Sequence, residues 1–165
     1  MTLPVWALVL SVLLLGQAVP PRRPLLDVVA RPPVAAVAAG QRFTVSLDLT
    51  PAPNIHVYAP GAVGYRPIGL QIKAQPGLIV RNATYPAPEA YYYAPLKETV
   101  PVFQKPFQIV QELALDGAPA GRAALKGATT LTVQATLSYQ ACDDRVCFPP
   151  RQVPVAWQVV MKESR

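Results

Sequence analysis

Cys142 and Cys147 are the only cysteines of the chain, with four residues between them in the run Tyr139-Gln140-Ala141-Cys142-Asp143-Asp144-Arg145-Val146-Cys147-Phe148-Pro149-Pro150. Two thiols this close can form a fixed clip, exchange with other thiols, or contribute to a soft-metal site. A bridge between them closes a loop of only about six residues, worth roughly 2 kcal/mol in the chain-entropy account, against nearly 5 for a loop of about a hundred. Such a bond is a weak staple, so exchange chemistry is the first reading and a permanent hairpin clip the second. Thiolate fraction governs much of a cysteine's reactivity. The neighbours Asp143 and Asp144 should raise the thiol pKa and Arg145 should lower it. No histidine lies close in sequence, so no strongly activated thiolate is expected.

The elements that must position this pair read as strands. Twenty prolines spread over the chain argue against a helical domain, because proline breaks helices and is tolerated at turns and strand edges. Phe43, Val45, Leu47 and Leu49 alternate with Thr44, Ser46, Asp48 and Thr50, the period-two pattern of a half-buried strand. Ile68, Leu70 and Ile72 repeat it, and Phe107 to Leu115 is a looser version. Leu131, Val133, Ala135, Leu137 and Tyr139 alternate with polar neighbours, and Val153, Val155, Trp157, Val159 and Met161 close the series. Trp157 falls in the apolar phase and reads as core. About seven to nine short strands separated by Pro and Gly turns predict an antiparallel β-sandwich, immunoglobulin-like in layout. If the Leu131 to Tyr139 strand runs on, Cys142 joins Ser138 and Gln140 on its polar face. Its sulfur is then expected near solvent. Cys142 to Pro150 becomes the connection between two neighbouring antiparallel strands, whose spacing of about 5 Å permits a disulfide.

At 165 residues the chain suits one domain preceded by a leader. Leu3 to Leu15 is almost unbroken Leu, Val, Ala and Trp, followed by Gly16-Gln17-Ala18, so residues 1–18 read as a secretory signal peptide. The run is short for a membrane span, although Arg22 and Arg23 follow it and no Lys or Arg precedes it; an uncleaved anchor is the second reading. Residues 19–27 read as a Pro-rich linker and 28–165 as the domain. Export to the periplasm is where a disulfide persists. The net charge of +6 is scattered and interleaved with acids, with no basic stripe carrying aromatics, which excludes a nucleic-acid footprint. The chain shows no P-loop, dinucleotide fingerprint, paired-carboxylate signature or hydrolase elbow, and no cofactor is expected. His56 and Tyr58 with the thiols fall short of the four convergent ligands that zinc prefers; a structural or partner-contact role is the expectation and no metal is assigned. Asn82-Ala83-Thr84 fits a glycosylation sequon, a match common by chance.

The Tyr139 to Pro150 run resembles the active-site hairpin of the periplasmic amino-terminal domain of the disulfide reductase DsbD. Asn54-Ile55-His56-Val57-Tyr58-Ala59-Pro60, Tyr65-Arg66-Pro67, Thr84-Tyr85-Pro86, Lys97-Glu98 and Val100 are similar to that domain's pattern, over roughly Val28 to Val160. The resemblance implies an immunoglobulin-like domain whose cysteines, here Cys142 and Cys147, alternate between dithiol and disulfide. It implies a membrane-embedded disulfide reductase or thioredoxin-like protein as electron donor. The implied acceptors are a periplasmic disulfide isomerase or a thioredoxin-like protein of cytochrome c maturation. It also implies a monomer acting as a protein-disulfide reductase module, with Cys142 forming the mixed disulfide to a downstream partner and Cys147 resolving it. That family shields its pair with an aromatic cap loop, matched here by Glu89-Ala90-Tyr91-Tyr92-Tyr93. Tyr91, Tyr92 and Tyr93 are thus the expected lid, standing where the best-known members carry acidic residues beside a phenylalanine. The cysteine spacing is at the shorter end of the family's range. Neither a multi-span nor a thioredoxin-like domain follows Arg165 in the sequence, which leaves open whether those parts are separate proteins.

Overall fold

The computed structural model describes residues 24–162; the expected signal peptide and residues 19–23 of the expected linker lie outside them. The described chain is built almost wholly from antiparallel strands. One sheet has the order β1-β2-β8-β5 and comprises β1 (Leu26–Arg31), β2 (Arg42–Pro51), β5 (Leu78–Thr84) and β8 (Phe107–Leu115). β1 begins inside the stretch read as linker, because Leu26 is buried and pairs with Pro51. A second sheet, β11-β9-β4, comprises β4 (Gly69–Ile72), β9 (Thr130–Tyr139) and β11 (Arg151–Val160). A third, β10-β3-β7-β6, comprises β3 (His56–Tyr58), β6 (Glu89–Tyr93), β7 (Glu98–Phe103) and β10 (Ala141–Cys142). Among the described residues one six-residue helix, α1 (Pro119–Ala124), bridges β8 and β9; no helical periodicity announced it.

The period-two strands bury the residues their patterns select. Val45, Leu47 and Leu49 of β2 meet Ile109, Leu113 and Leu115 of β8, Val133 and Leu137 of β9 and Trp157 and Val159 of β11 in one core. Burial of such side chains stabilises by about 1.5–3 kcal/mol each. The indole N–H of Trp157 donates to the Ser46 carbonyl at 2.9 Å, which satisfies its only polar atom. Gln111 is the buried polar exception on β8. Its amide donates to the Arg81 carbonyl at 2.7 Å, inside the bulge where β5 shifts register between Val80 and Ala83. The architecture is an antiparallel sandwich of immunoglobulin-like layout, with eleven strands among the described residues. The additional strands are short: β3 has three residues and β10 two, too few to display an alternation.

The second and third sheets are successive parts of one layer. β9 passes into β10 through Gln140, and the Ile68 amide donates to the Tyr58 carbonyl at 2.8 Å, tying the start of β4 to the end of β3. One face of the β10-β3-β7-β6 sheet contributes Ala141, Val57 and Phe103 to the main core. Its other face carries a separate small cluster of Tyr58, Ala62, Val100, Val102 and Cys142, with Tyr65 and Tyr91 packed on it. The disulfide belongs to this second cluster.

Candidate functional site: a half-buried disulfide under an aromatic face

β9 does not run on through Cys142. The chain leaves the β11 ladder after Tyr139, and Ala141 and Cys142 pair instead with Val57 and His56 of β3. Changing sheets resets the parity, so Ala141 faces the main core and Cys142 faces the aromatic cluster with 1% of its surface exposed. The sequence expectation that Cys142 lies near solvent is therefore wrong; the exposed partner is Cys147.

Between the cysteines the chain turns tightly. The Asp143 amide donates to the Val146 carbonyl at 3.0 Å and the Phe148 amide to the Ala141 carbonyl at 2.9 Å, which flank Cys142 and Cys147 as an opposed pair without mutual backbone bonds. That is the pairing in which antiparallel Cα atoms come closest. Here they are 4.0 Å apart and the sulfurs are bonded. Asp143 holds the turn: one carboxylate oxygen accepts the amides of Arg145 at 2.8 Å and Val146 at 2.7 Å. These backbone donors keep its carboxyl below the usual range. Beyond the turn, Phe148 packs against the main core and its carbonyl accepts the Gln140 side-chain amide at 3.1 Å. Arg145 and Val146 project into solvent at the tip.

β3 supplies the floor. Asn54, with φ of 62°, makes the left-handed turn that feeds it, a conformation asparagine tolerates better than most residues. His56 and Tyr58 then share the disulfide's face of the sheet. The Tyr58 hydroxyl lies 3.6 Å from Cys147 Sγ and is the donor, since a disulfide sulfur has no proton. Tyr65 lies over Tyr58 with ring centroids 4.2 Å apart, and its hydroxyl donates to Glu98 of β7. That carboxylate favours the protonated phenol, which is pushed up to about 12. Burial raises Tyr58 as well, reinforced by Tyr93, Tyr91 and Glu98.

Of the three tyrosines expected as a lid, Tyr91 and Tyr93 lie on the site's face of β6 and Tyr92 does not. Tyr91 lies on His56 with centroids 4.5 Å apart and donates its hydroxyl to Asp144 at 2.9 Å, joining β6 to the cysteine turn. Burial, then this bond to Asp144, raises its pKa. Tyr92 has the opposite parity and is 61% exposed. Tyr93 shares Tyr91's face two residues along and is half-buried. Sequence reasoning gave His56 a structural or partner-contact role and found no histidine close to the cysteines in sequence; in the fold it is the cross-strand partner of Cys142 and only 3% exposed. Its shared parity with Tyr58 was the available signal; what was missing was that β3 pairs with β10. Among the described residues no group of three or more His, Cys, Asp or Glu is placed to hold a metal.

A bonded cysteine pair with one cysteine exposed and the other under a ring cluster, held by strands, is an arrangement suited to thiol-disulfide interchange. The sequence comparison gives the family. A family model described as thiol:disulfide interchange protein DsbD, N-terminal, matches residues 24–156, and the chain belongs to that family. Among solved structures it is similar to the reduced N-terminal domain of DsbD from Neisseria meningitidis, at 15% identity and a TM-score of 0.46, covering 72% of this chain and 78% of that one. It is also similar to the N-terminal periplasmic domain of ScsB from Proteus mirabilis, at 14% identity and a TM-score of 0.47, covering 88% of this chain and 50% of that one. Comparison with curated proteins finds no match.

Proposed function

We propose that this domain relays electrons in the periplasm through the Cys142–Cys147 bond, accepting them from a thioredoxin-like or membrane-embedded reductase and passing them to oxidised periplasmic proteins. The observation that carries the reading is the asymmetry of the pair. Exchange requires an accessible sulfur that an incoming thiolate can strike in line. Cys147 is exposed and Cys142 is not, which favours Cys147 as the sulfur that forms the mixed disulfide and Cys142 as the one that resolves it. This reverses the order expected from sequence, which rested on Cys142 facing solvent.

In the uptake direction a donor thiolate attacks Cys147 Sγ, the Cys142–Cys147 bond breaks, and Cys142 leaves with the electron pair. The donor's second thiol then attacks its own bridged sulfur and frees Cys147. In the delivery direction Cys147 attacks an acceptor disulfide and Cys142 closes on Cys147, releasing the reduced acceptor. Two electrons and two protons move each way. Tyr91, anchored to Asp144, screens the pair on the β6 side, and a docked partner need only displace the rings.

A Cys142→Ala variant exposed to periplasmic extract should accumulate mixed disulfides with thioredoxin-like proteins through Cys147, whereas Cys147→Ala should accumulate none. Equal failure of both variants would favour the second reading, a redox-inert binding module whose clip is structural. The burial of Cys142 is the observation on that side.

A further inference from the structure

Cys142 works in a place where its charge is costly, and one group beside it has no assigned bond. On the ladder between β10 and β3, Cys142 stands directly opposite His56. Opposed residues of an antiparallel pair project on the same face with Cβ atoms about 4.5–5.5 Å apart. His56 Nε2 is buried and has no hydrogen-bond partner among the described residues. A buried polar atom left unsatisfied costs stability and calls for a reason. Cys142 is the neighbour on that face whose hydrogen-bonding capacity changes with redox state, since a disulfide sulfur has no proton to give and a thiol has one.

We propose that His56 is the acid–base residue for Cys142, taking the thiol proton as Cys142 closes the disulfide and returning it when the disulfide is opened. The proposal rests on the interchange reading and specifies how its buried half operates. In closure, Cys147 is bridged to an acceptor sulfur. The Cys142 proton passes to Nε2, the resulting thiolate attacks Cys147 Sγ, and the acceptor sulfur departs with the electron pair of the broken bond. The imidazolium then gives its proton to that departing thiolate or to water. Opening is the reverse, with the electrons supplied by the donor dithiol.

The other titratable groups facing this position are less suited. Asp143 is engaged by the turn amides and its carboxyl is held low, so it stays ionised near neutrality. Asp144 accepts the Tyr91 hydroxyl. Tyr58, Tyr65 and Tyr91 are all raised, and Glu98 is engaged by Tyr65. Tyr93 lies further along β6, two residues beyond Tyr91. Histidine is the side chain whose ordinary pKa falls between about 5 and 8. At His56 burial lowers that value while Asp144 and Asp143 oppose the shift.

The test uses the reduced full domain and 5,5′-dithiobis(2-nitrobenzoate), which releases one thionitrobenzoate when Cys147 attacks it and a second when Cys142 closes the bond. In His56→Phe, which keeps a ring against Tyr91, the second release should slow relative to the first by about a hundredfold near neutral pH, the low end for a positioned acid–base group. The bend in its pH profile contributed by the imidazole should vanish. His56→Gln, with folding verified by circular dichroism, should behave the same way while retaining a polar side chain. A second release in both variants within about twofold of wild type, with an unchanged pH profile, would overturn the assignment. If wild type gave no first release, the interchange reading itself would fall, and this proposal with it.

Discussion

At the scale of single residues the site depends on which ring lies where. Tyr91 is joined to Asp144 by one hydrogen bond and rests on His56, while Tyr92 points to solvent. A hydrogen bond of this kind contributes about 1 kcal/mol net, which corresponds to roughly a fivefold change in an equilibrium between covered and uncovered disulfide. Tyr91→Phe should therefore speed reduction by a small dithiol about fivefold and Tyr91→Ala by more, with Tyr92→Ala near wild type. Rates of dithiothreitol reduction check this, and equal rates for all three would remove the lid. His56 gives a separate expectation in pH. Its pKa in the folded protein lies below the ordinary value of 6.5, so around and below that value the unfolded chain binds the proton more readily. The stabilising contribution is complete above about 6.5 and is lost as pH falls through the lower folded value. Urea unfolding of the oxidised protein should show a loss of stability from pH 7 to pH 5 that His56→Phe lacks. Asp143 and Asp48, both lowered from 3.8, act only at more acidic pH and leave this window clear.

At the scale of elements, the central event is the departure of the chain from β9 at Gln140. The pattern from Thr130 to Tyr139 identified the strand and its inward residues, because ten residues of alternation outweigh any local irregularity. The alternation from Val153 to Met161 likewise placed Trp157 in the core, where it is fully buried. Extrapolated three residues further, the β9 pattern put Cys142 on the wrong face. A parity argument holds only while the strand stays in its ladder, and nothing in Gln140 or Ala141 announces a change of partner. β10 and β3 were invisible for a related reason: their conformation is fixed by neighbours distant in sequence and not by their own composition. The bonded pair of cysteines was legible from residue type and from family resemblance, and the resemblance also pointed to the stretch whose Tyr91 packs on His56. The role of His56 was not, since it depends on one cross-strand pairing. Because Trp157 anchors β11 to β2 behind the site, Trp157→Ala should cost about 3–5 kcal/mol, as large aromatic truncations in cores do. Chemical denaturation checks it, and a loss below about 1 kcal/mol would mean that the indole is not the anchor described.

At the scale of the whole molecule, a carrier must remain folded in both redox states. The core of β2, β8, β9 and β11 does not involve the cysteines, whose loop is short. Reduction should therefore lower unfolding free energy by only about 2 kcal/mol. Urea titrations of the oxidised and reduced domain would show two cooperative transitions of similar steepness; collapse of the reduced form would assign the bond to stability instead. The most direct measurement is the redox midpoint of the Cys142–Cys147 pair, obtained by equilibrating the domain against graded mixtures of reduced and oxidised glutathione and counting free thiols. A working relay predicts a potential more oxidising than about −300 mV, within reach of physiological dithiols. A potential well below that value, with the bond intact in every mixture, would contradict the account.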